Sequence, residues 1–380
     1  MKKTNKKVKN LKIMTIFGTR PEIIKLSAVL DKLDQYVDHI TVHTGQSYDY
    51  EMSKVFFDEL NVRKPDYFLN VKAETLGEQL SNIIYKSEKI FIKEKPDALL
   101  VLGDTNSALS VIVAKRMKIP IFHMEAGNRS FDENVPEEIN RRIIDHISDI
   151  NLPYSEHARA NLAKEGIRLG NMYATGSPMA EILEIHKKSI DHSNILKKLG
   201  FLKNKYFVVS IHREENVDSD SALNKLLDSL NAVAETYKLP ILVSTHPRTA
   251  KRLQGKKYKT HKLIIFHKPL GFFDYVNLQQ NAFCTISDSG TVPEEASILG
   301  FPAIQARVSS ERPEAYDEGV LILSGLDKDI ILKSIEIVTK EFAQGYRHDT
   351  PNAYKGKNVS NKVLRTIVGL TKIIGNKYRK

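Results

Sequence analysis

Lys12-Ile13-Met14-Thr15-Ile16-Phe17-Gly18-Thr19-Arg20-Pro21-Glu22-Ile23-Ile24-Lys25 is a short apolar run that stops at a Gly-Thr turn and restarts at a proline. A strand handing over to a helix reads this way, with Pro21 in the first helical turn, where its missing N–H costs nothing. The same unit recurs along the chain. Strands are expected at 12–17, 39–43, 98–102, 119–124 and 150–152, with helices at 21–33, 76–94 and 107–117 between them. A second series follows, with strands at 206–212, 241–245, 263–266, 282–286 and 303–305 and helices at 221–237, 272–279, 292–298 and 328–341. Alternating β and α segments of this kind build parallel sheets, so the expected class is α/β, two Rossmann-like doubly wound domains facing across a cleft. The expected boundaries are 11–184 and 206–360, with 361–380 a helix and basic tail packing back on the first domain. The Lys-rich stretch 185–205 is expected to be the hinge.

The chain has 380 residues, 41% of them apolar, and a formal charge of +11. Nine of those charges sit in the first and last ten residues, so residues 11–370 carry only +2. A nucleic-acid surface would spread its excess over the body, and none is expected. Cys284 is the single cysteine, in the apolar context Phe283-Cys284-Thr285-Ile286, which excludes an internal disulfide and a cysteine metal site. No paired histidine spacing suggests a metal, and Asp218-Ser219-Asp220 lies in a polar loop. The apolar run after the basic N-terminus is too short for a signal peptide or a membrane span, which makes a cytoplasmic protein the expectation.

Ligands of doubly wound sheets bind outside the carboxyl ends of the strands. There the chain places Gly18-Thr19-Arg20, Gly103-Asp104-Thr105 and Glu125-Ala126-Gly127 in its first half, followed by Pro136-Glu137-Glu138. Asp104 and Glu125 are one strand–helix–strand unit apart, so they should end neighbouring strands. Two carboxyls there would raise each other's pKa, which suits proton transfer near neutrality. Arg20 at a helix start offers an anion both a guanidinium and free backbone N–H groups. In the second half, His212-Arg213 and His246-Pro247-Arg248 end strands, and Ser289-Gly290-Thr291 forms a small hydroxyl-bearing turn before a helix. Such a turn is a nest for a diphosphate, and Glu295, one turn later, suits a ribose. Neither a G-x-G-x-x-G fingerprint nor a P-loop is present. The bland alternatives are an N-cap for Asp104 and a dipole-favoured first turn for Glu137.

Together with Glu311-Arg312-Pro313-Glu314, these stretches follow the order found in the non-hydrolysing UDP-N-acetylglucosamine 2-epimerases, which the chain resembles over essentially 11–370. The resemblance implies a glycosyltransferase-B-like fold, a homodimer, and neither cofactor nor metal. It implies removal of the C2 proton with anti elimination of UDP to a 2-acetamidoglycal, then re-addition with C2 inverted. Asp104, Glu125, Glu137 and His212 would carry catalysis. Arg20, Lys25, Tyr275, Ser289, Gly290, Thr291, Glu295 and Arg312 would bind the UDP-sugar. Many members read Q-H-R-E after the second strand, where this chain has Gly45-Gln46-Ser47-Tyr48-Asp49-Tyr50-Glu51. That departure, with the stretches Asn128-Arg129-Ser130-Phe131-Asp132 and His212-Arg213-Glu214-Glu215-Asn216, resembles the branch making UDP-N-acetyl-L-fucosamine for capsule and O-antigen. The expected substrate is accordingly UDP-2-acetamido-2,6-dideoxy-L-talose. The alternatives are UDP-N-acetylglucosamine 2-epimerisation, or a glycosyltransferase of the same fold.

Overall fold

The computed structural model describes residues 10–45, 50–71, 73–211, 213, 216, 220–245, 247–254 and 258–378. They fall into two compact units, one drawn from within 1–128, 136–182 and 356–380, the other from within 129–135 and 183–355.

The first unit holds strands β1 (Lys12–Phe17), β2 (Asp38–His43), β3 (Tyr67–Phe68), β4 (Ala98–Leu102), β5 (Ile121–Met124) and β6 (Ile150–Leu152). They pair in parallel in the order β3-β2-β1-β4-β5-β6. A sheet buried on both faces needs continuous apolar strands, and Ala98–Leu102 is buried at every position. Met14, Ile16, Val42, Leu99 and Val101 pack with Ile83, Ile90 and Phe91 of the Leu76–Glu94 helix. The Val359–Tyr378 helix buries Val363, Leu364, Ile367 and Ile374 and packs along the Arg20–Tyr36 helix. Its first turn is pinned where Ser360 N donates to Glu181 Oε2 at 2.8 Å.

The second unit repeats the plan with β7 (Phe207–Ser210), β8 (Ile241–Ser244), β9 (Ile264–His267), β10 (Cys284–Ser287), β11 (Ala303–Gln305) and β12 (Ile322–Leu323). Its order, β12-β11-β10-β7-β8-β9, is the first unit's order in its own numbering. Leu223, Leu226, Leu227 and Leu230 of the Asp220–Tyr237 helix cover one face, with Ile331 and Ile335 of the Lys328–Ala343 helix. Cys284 lies in this core, and burial pushes its thiol pKa up, which leaves it inert. The architecture is therefore two doubly wound Rossmann-like sheets.

Three local details go beyond the expectations. The stretch 185–205, expected to be the hinge, holds the short helices Lys187–Asp191 and Ile195–Leu199. The segment 107–117 opens as a 3-10 turn, Asn106–Ser110, before becoming α-helical at Val111–Arg116. The two-residue edge strands β3 and β12 join the ten expected ones. Among the described residues, no helix is long and apolar enough to cross a membrane.

Candidate active site

In the first unit the strand order reverses between β1 and β4, which is where open parallel sheets form a crevice at their carboxyl ends. The turn after β1 is organised by Glu22. Its Oε2 accepts from Gly18 N at 3.0 Å, Thr19 N at 2.8 Å and Thr19 Oγ1 at 2.8 Å. Its Oε1 accepts from Thr105 Oγ1 at 3.1 Å, tying this turn to the one after β4. Glu22 is 2% exposed, and burial pushes its pKa up to about 7 against the pull of those four donors. A carboxyl shifted toward neutrality thus stands outside the expected acids. Its T-x-x-E spacing from Thr19 is the detectable signal, a capping-box pattern. The neighbouring Arg20 guanidinium stands 5.9 Å over the Phe56 ring, and burial lowers its pKa from the ordinary arginine value. At the end of β2, His43 stacks on Phe68, and burial pulls its pKa down to about 4, so the ring is neutral.

Asp104 and Glu125 do end neighbouring strands, since Leu102 pairs with Met124. Each meets a cation of its own. Arg141 Nη2 and Nε donate to Asp104 Oδ2 at 2.6 and 3.0 Å, and Asn140 Nδ2 donates to the Asp104 carbonyl at 2.9 Å. Lys25 Nζ lies 2.7 Å from Glu125 Oε2, the two side chains being 5% and 12% exposed. Glu125 therefore points inward. Its φ of 65° puts a non-glycine residue in the left-handed region, a strain found disproportionately at functional positions. The N-cap before the 3-10 turn is Thr105, so Asp104 is not spent on capping. In the next helix, Pro136–Ile147, Glu138 is fully buried and grips Arg141 and Arg142, whereas Glu137 is half-buried. Of the adjacent pair, Glu138 is the structural member.

The second unit reverses its order between β7 and β10, where Ser287-Asp288-Ser289-Gly290 ends a strand. Buried Asp288 accepts from Arg213 N at 2.9 Å and Asn216 Nδ2 at 3.0 Å, tying these two residues to this turn. Ser289 N donates to Ser287 Oγ, and Thr291 N donates to Ser289 Oγ at 3.3 Å. Two N–H groups of the expected nest are thus turned to local hydroxyls. Gly290 has a steric role: a Cβ there would come within 2.7 Å of Glu311 Oε1. Glu311 itself bridges Arg213 at 3.4 Å and buried Arg307 at 2.8 Å. Glu295 accepts from Gln279 Nε2 at 2.8 Å, and Tyr275, its hydroxyl toward Ser210 and Ser287, has its pKa raised by burial. Arg312 is 1% exposed and lies 3.0 Å from fully buried Glu294, a buried ion pair at the helix start. His212 and His246 lie outside the described residues, as do residues 46–49.

The structure thus joins Lys25 to Glu125 and clusters Ser289 and Thr291 with Gly290 between them, while Asp104 is held by Arg141. Among the described residues, no group of three His, Cys, Asp or Glu side chains is placed to hold a metal.

Comparison with known proteins assigns the chain. Residues 31–368 match the UDP-N-acetylglucosamine 2-epimerase family. A UDP-N-acetylglucosamine 2-epimerase of Methanocaldococcus jannaschii is 38% identical over 359 residues, 92% of this chain and 98% of that one. A structure of the UDP-N-acetylglucosamine 2-epimerase from Rickettsia bellii aligns with TM-score 0.89 at 46% identity, covering 96% and 98% of the two chains. A UDP-2,3-diacetamido-2,3-dideoxy-D-glucuronate 2-epimerase of Pseudomonas aeruginosa is 32% identical, covering 95% and 100%. With a family match along most of its length, two doubly wound sheets and acids at the strand ends, the chain belongs to the UDP-N-acetylglucosamine 2-epimerase family of isomerases.

Proposed function

We propose that the protein inverts C2 of UDP-N-acetylglucosamine, interconverting it with UDP-N-acetylmannosamine. The reading rests on one observation above all. Asp104 and Glu125 stand at the ends of adjacent strands beside the switch point, each aimed by a cation of its own.

In the forward half-reaction a carboxylate takes the C2 proton. The released electron pair forms the C1–C2 double bond as the C1–O bond breaks, and UDP departs. In the second half UDP adds back to C1 of the glycal while another acid protonates C2 from the opposite face. Asp104, Glu125 and Glu137 are proposed as the acids and bases, with His212 completing the set. The C2 hydrogen is barely acidic, so the leaving diphosphate must be stabilised as charge develops on it. Arg20, Ser289, Gly290 and Thr291 are the proposed partners there, with Lys25, Tyr275, Glu295 and Arg312 supporting the UDP-sugar. In this reading the first unit supplies the carboxyl acids and bases and the second most of the groups that grip UDP.

UDP-N-acetylglucosamine is preferred because relatives along nearly the full chain carry that sugar in their names. The L-talo substrate, with a capsule or O-antigen role, is the second reading, favoured by Gly45–Glu51 and by the Asn128-Arg129-Ser130 stretch. A cytoplasmic homodimer working without cofactor is part of the proposal. Proton NMR in D2O with each UDP-sugar decides the matter. Deuterium should enter at C2, and Glu125→Gln should lower turnover about 10²- to 10⁴-fold. No C2 exchange with either sugar overturns the reading. Sugar transfer to an acceptor that survives Glu125→Gln would mark a glycosyltransferase instead.

A further inference from the structure

We infer that His123 and Asp145 form a buried clasp that positions the two strand-end acids. This rests on the proposed epimerase reading and adds to it a pair of positioning residues that touch no substrate.

Both side chains are inaccessible to solvent. His123 sits in β5, two residues before Glu125, and its Nε2 lies 2.8 Å from the carbonyl of Gly103, the residue before Asp104. A carbonyl only accepts, so Nε2 carries a proton. The other nitrogen, Nδ1, lies 3.0 Å from Asp145 Oδ1, off the line of an ideal hydrogen bond. Solvent reaches neither side chain, so the contact between ring and carboxyl is made entirely inside the protein. Asp145 also accepts from Gly127 N, at 3.2 Å on one oxygen and 3.1 Å on the other. Asn151 of β6 donates to the Asp145 carbonyl at 3.0 Å.

The clasp thus reaches the turn before Asp104, the turn after Glu125, β6, and the helix bearing Glu137 and Arg141. These turns need holding. Gly103, Glu125 and Gly127 all have positive φ, at 66°, 65° and 83°. Turns of this kind can relax in more than one direction, and an ångström of drift at an acid is worth about 10²-fold in rate.

The test uses the full-length protein with His123→Gln, Asp145→Ala and Asp145→Asn. His123→Gln keeps a donor for the Gly103 carbonyl and loses Asp145. Asp145→Asn keeps an acceptor for Gly127 and gives Nδ1 a donor. We expect His123→Gln and Asp145→Ala to lower kcat about 10²-fold with KM within about threefold, and Asp145→Asn to recover most of the loss. Nitrogen NMR of 15N-histidine protein should show a ring, absent in His123→Gln, that is protonated at Nε2. Wild-type kcat in both damaging variants overturns the clasp. So does a ring unprotonated at Nε2, or a joint loss of kcat, KM and thermal stability that Asn does not rescue. If the wild-type protein itself exchanges no C2 proton, the epimerase reading falls, and the ring's protonation still decides whether the clasp exists.

Discussion

Replacing Glu22 by Gln isolates a carboxyl of the first unit whose pKa burial shifts strongly. Its pKa rises from an ordinary 4.5 to about 7 because burial penalises the charged form. The folded state therefore holds the proton more tightly than the unfolded chain does. The stabilisation is complete below pH 4.5 and is lost as the pH rises through 7. A carboxyl displaced this far loses roughly 3 kcal/mol across the full range, of which about 2.5 falls between about pH 5 and about pH 8.5. Gln fits the same cage: its oxygen can face Gly18 N, Thr19 N and Thr19 Oγ1, and its amide can donate to Thr105 Oγ1. It thus imitates the protonated acid and does not titrate. Urea unfolding followed by circular dichroism, with both proteins compared at each pH, cancels the other titrating groups. The variant should gain about 2.5 kcal/mol on the wild type between the two conditions. A difference that is the same at both pH values refutes the reasoning.

Two further substitutions probe the frame around the site. Gly127→Ala should destabilise the first unit by more than about 2 kcal/mol, read as a lowered thermal midpoint, because a side chain at positive φ is strained and its Cβ would sit 2.3 Å from the Ala158 carbonyl oxygen. Arg312→Met should cost about 3–5 kcal/mol in urea unfolding by stripping fully buried Glu294 of its guanidinium, and the Arg312→Met/Glu294→Leu double variant should recover most of it.

Which parts of this were legible in the sequence follows from the range of the interactions. Strands β1, β4, β6 and β11 and the Leu76–Glu94 helix match their expected limits because apolar runs and caps are local signals. The strand at 119–124 begins two residues late, and β3 and β12 are too short for any periodicity to mark them. Asp104 and Glu125 could be found because a polar residue directly after a buried strand is a local pattern. Their partners could not be placed so readily. Lys25 lies 100 residues from Glu125, and Arg141 lies 37 from Asp104. Only the strand order brings them together, as where Lys25 meets Glu125. The His123–Asp145 contact is hidden for the same reason, since neither residue's neighbours in sequence announce it.

The Val359–Tyr378 helix belongs to the first unit although the bulk of the second is encoded ahead of it. During synthesis the apolar flank of the Arg20–Tyr36 helix emerges early and stays uncovered while more than three hundred further residues are made. The second unit can close on itself as it leaves the ribosome. The half bearing the strand-end acids completes its interior only when this late helix arrives, so it is the half most open to chaperones in the meantime.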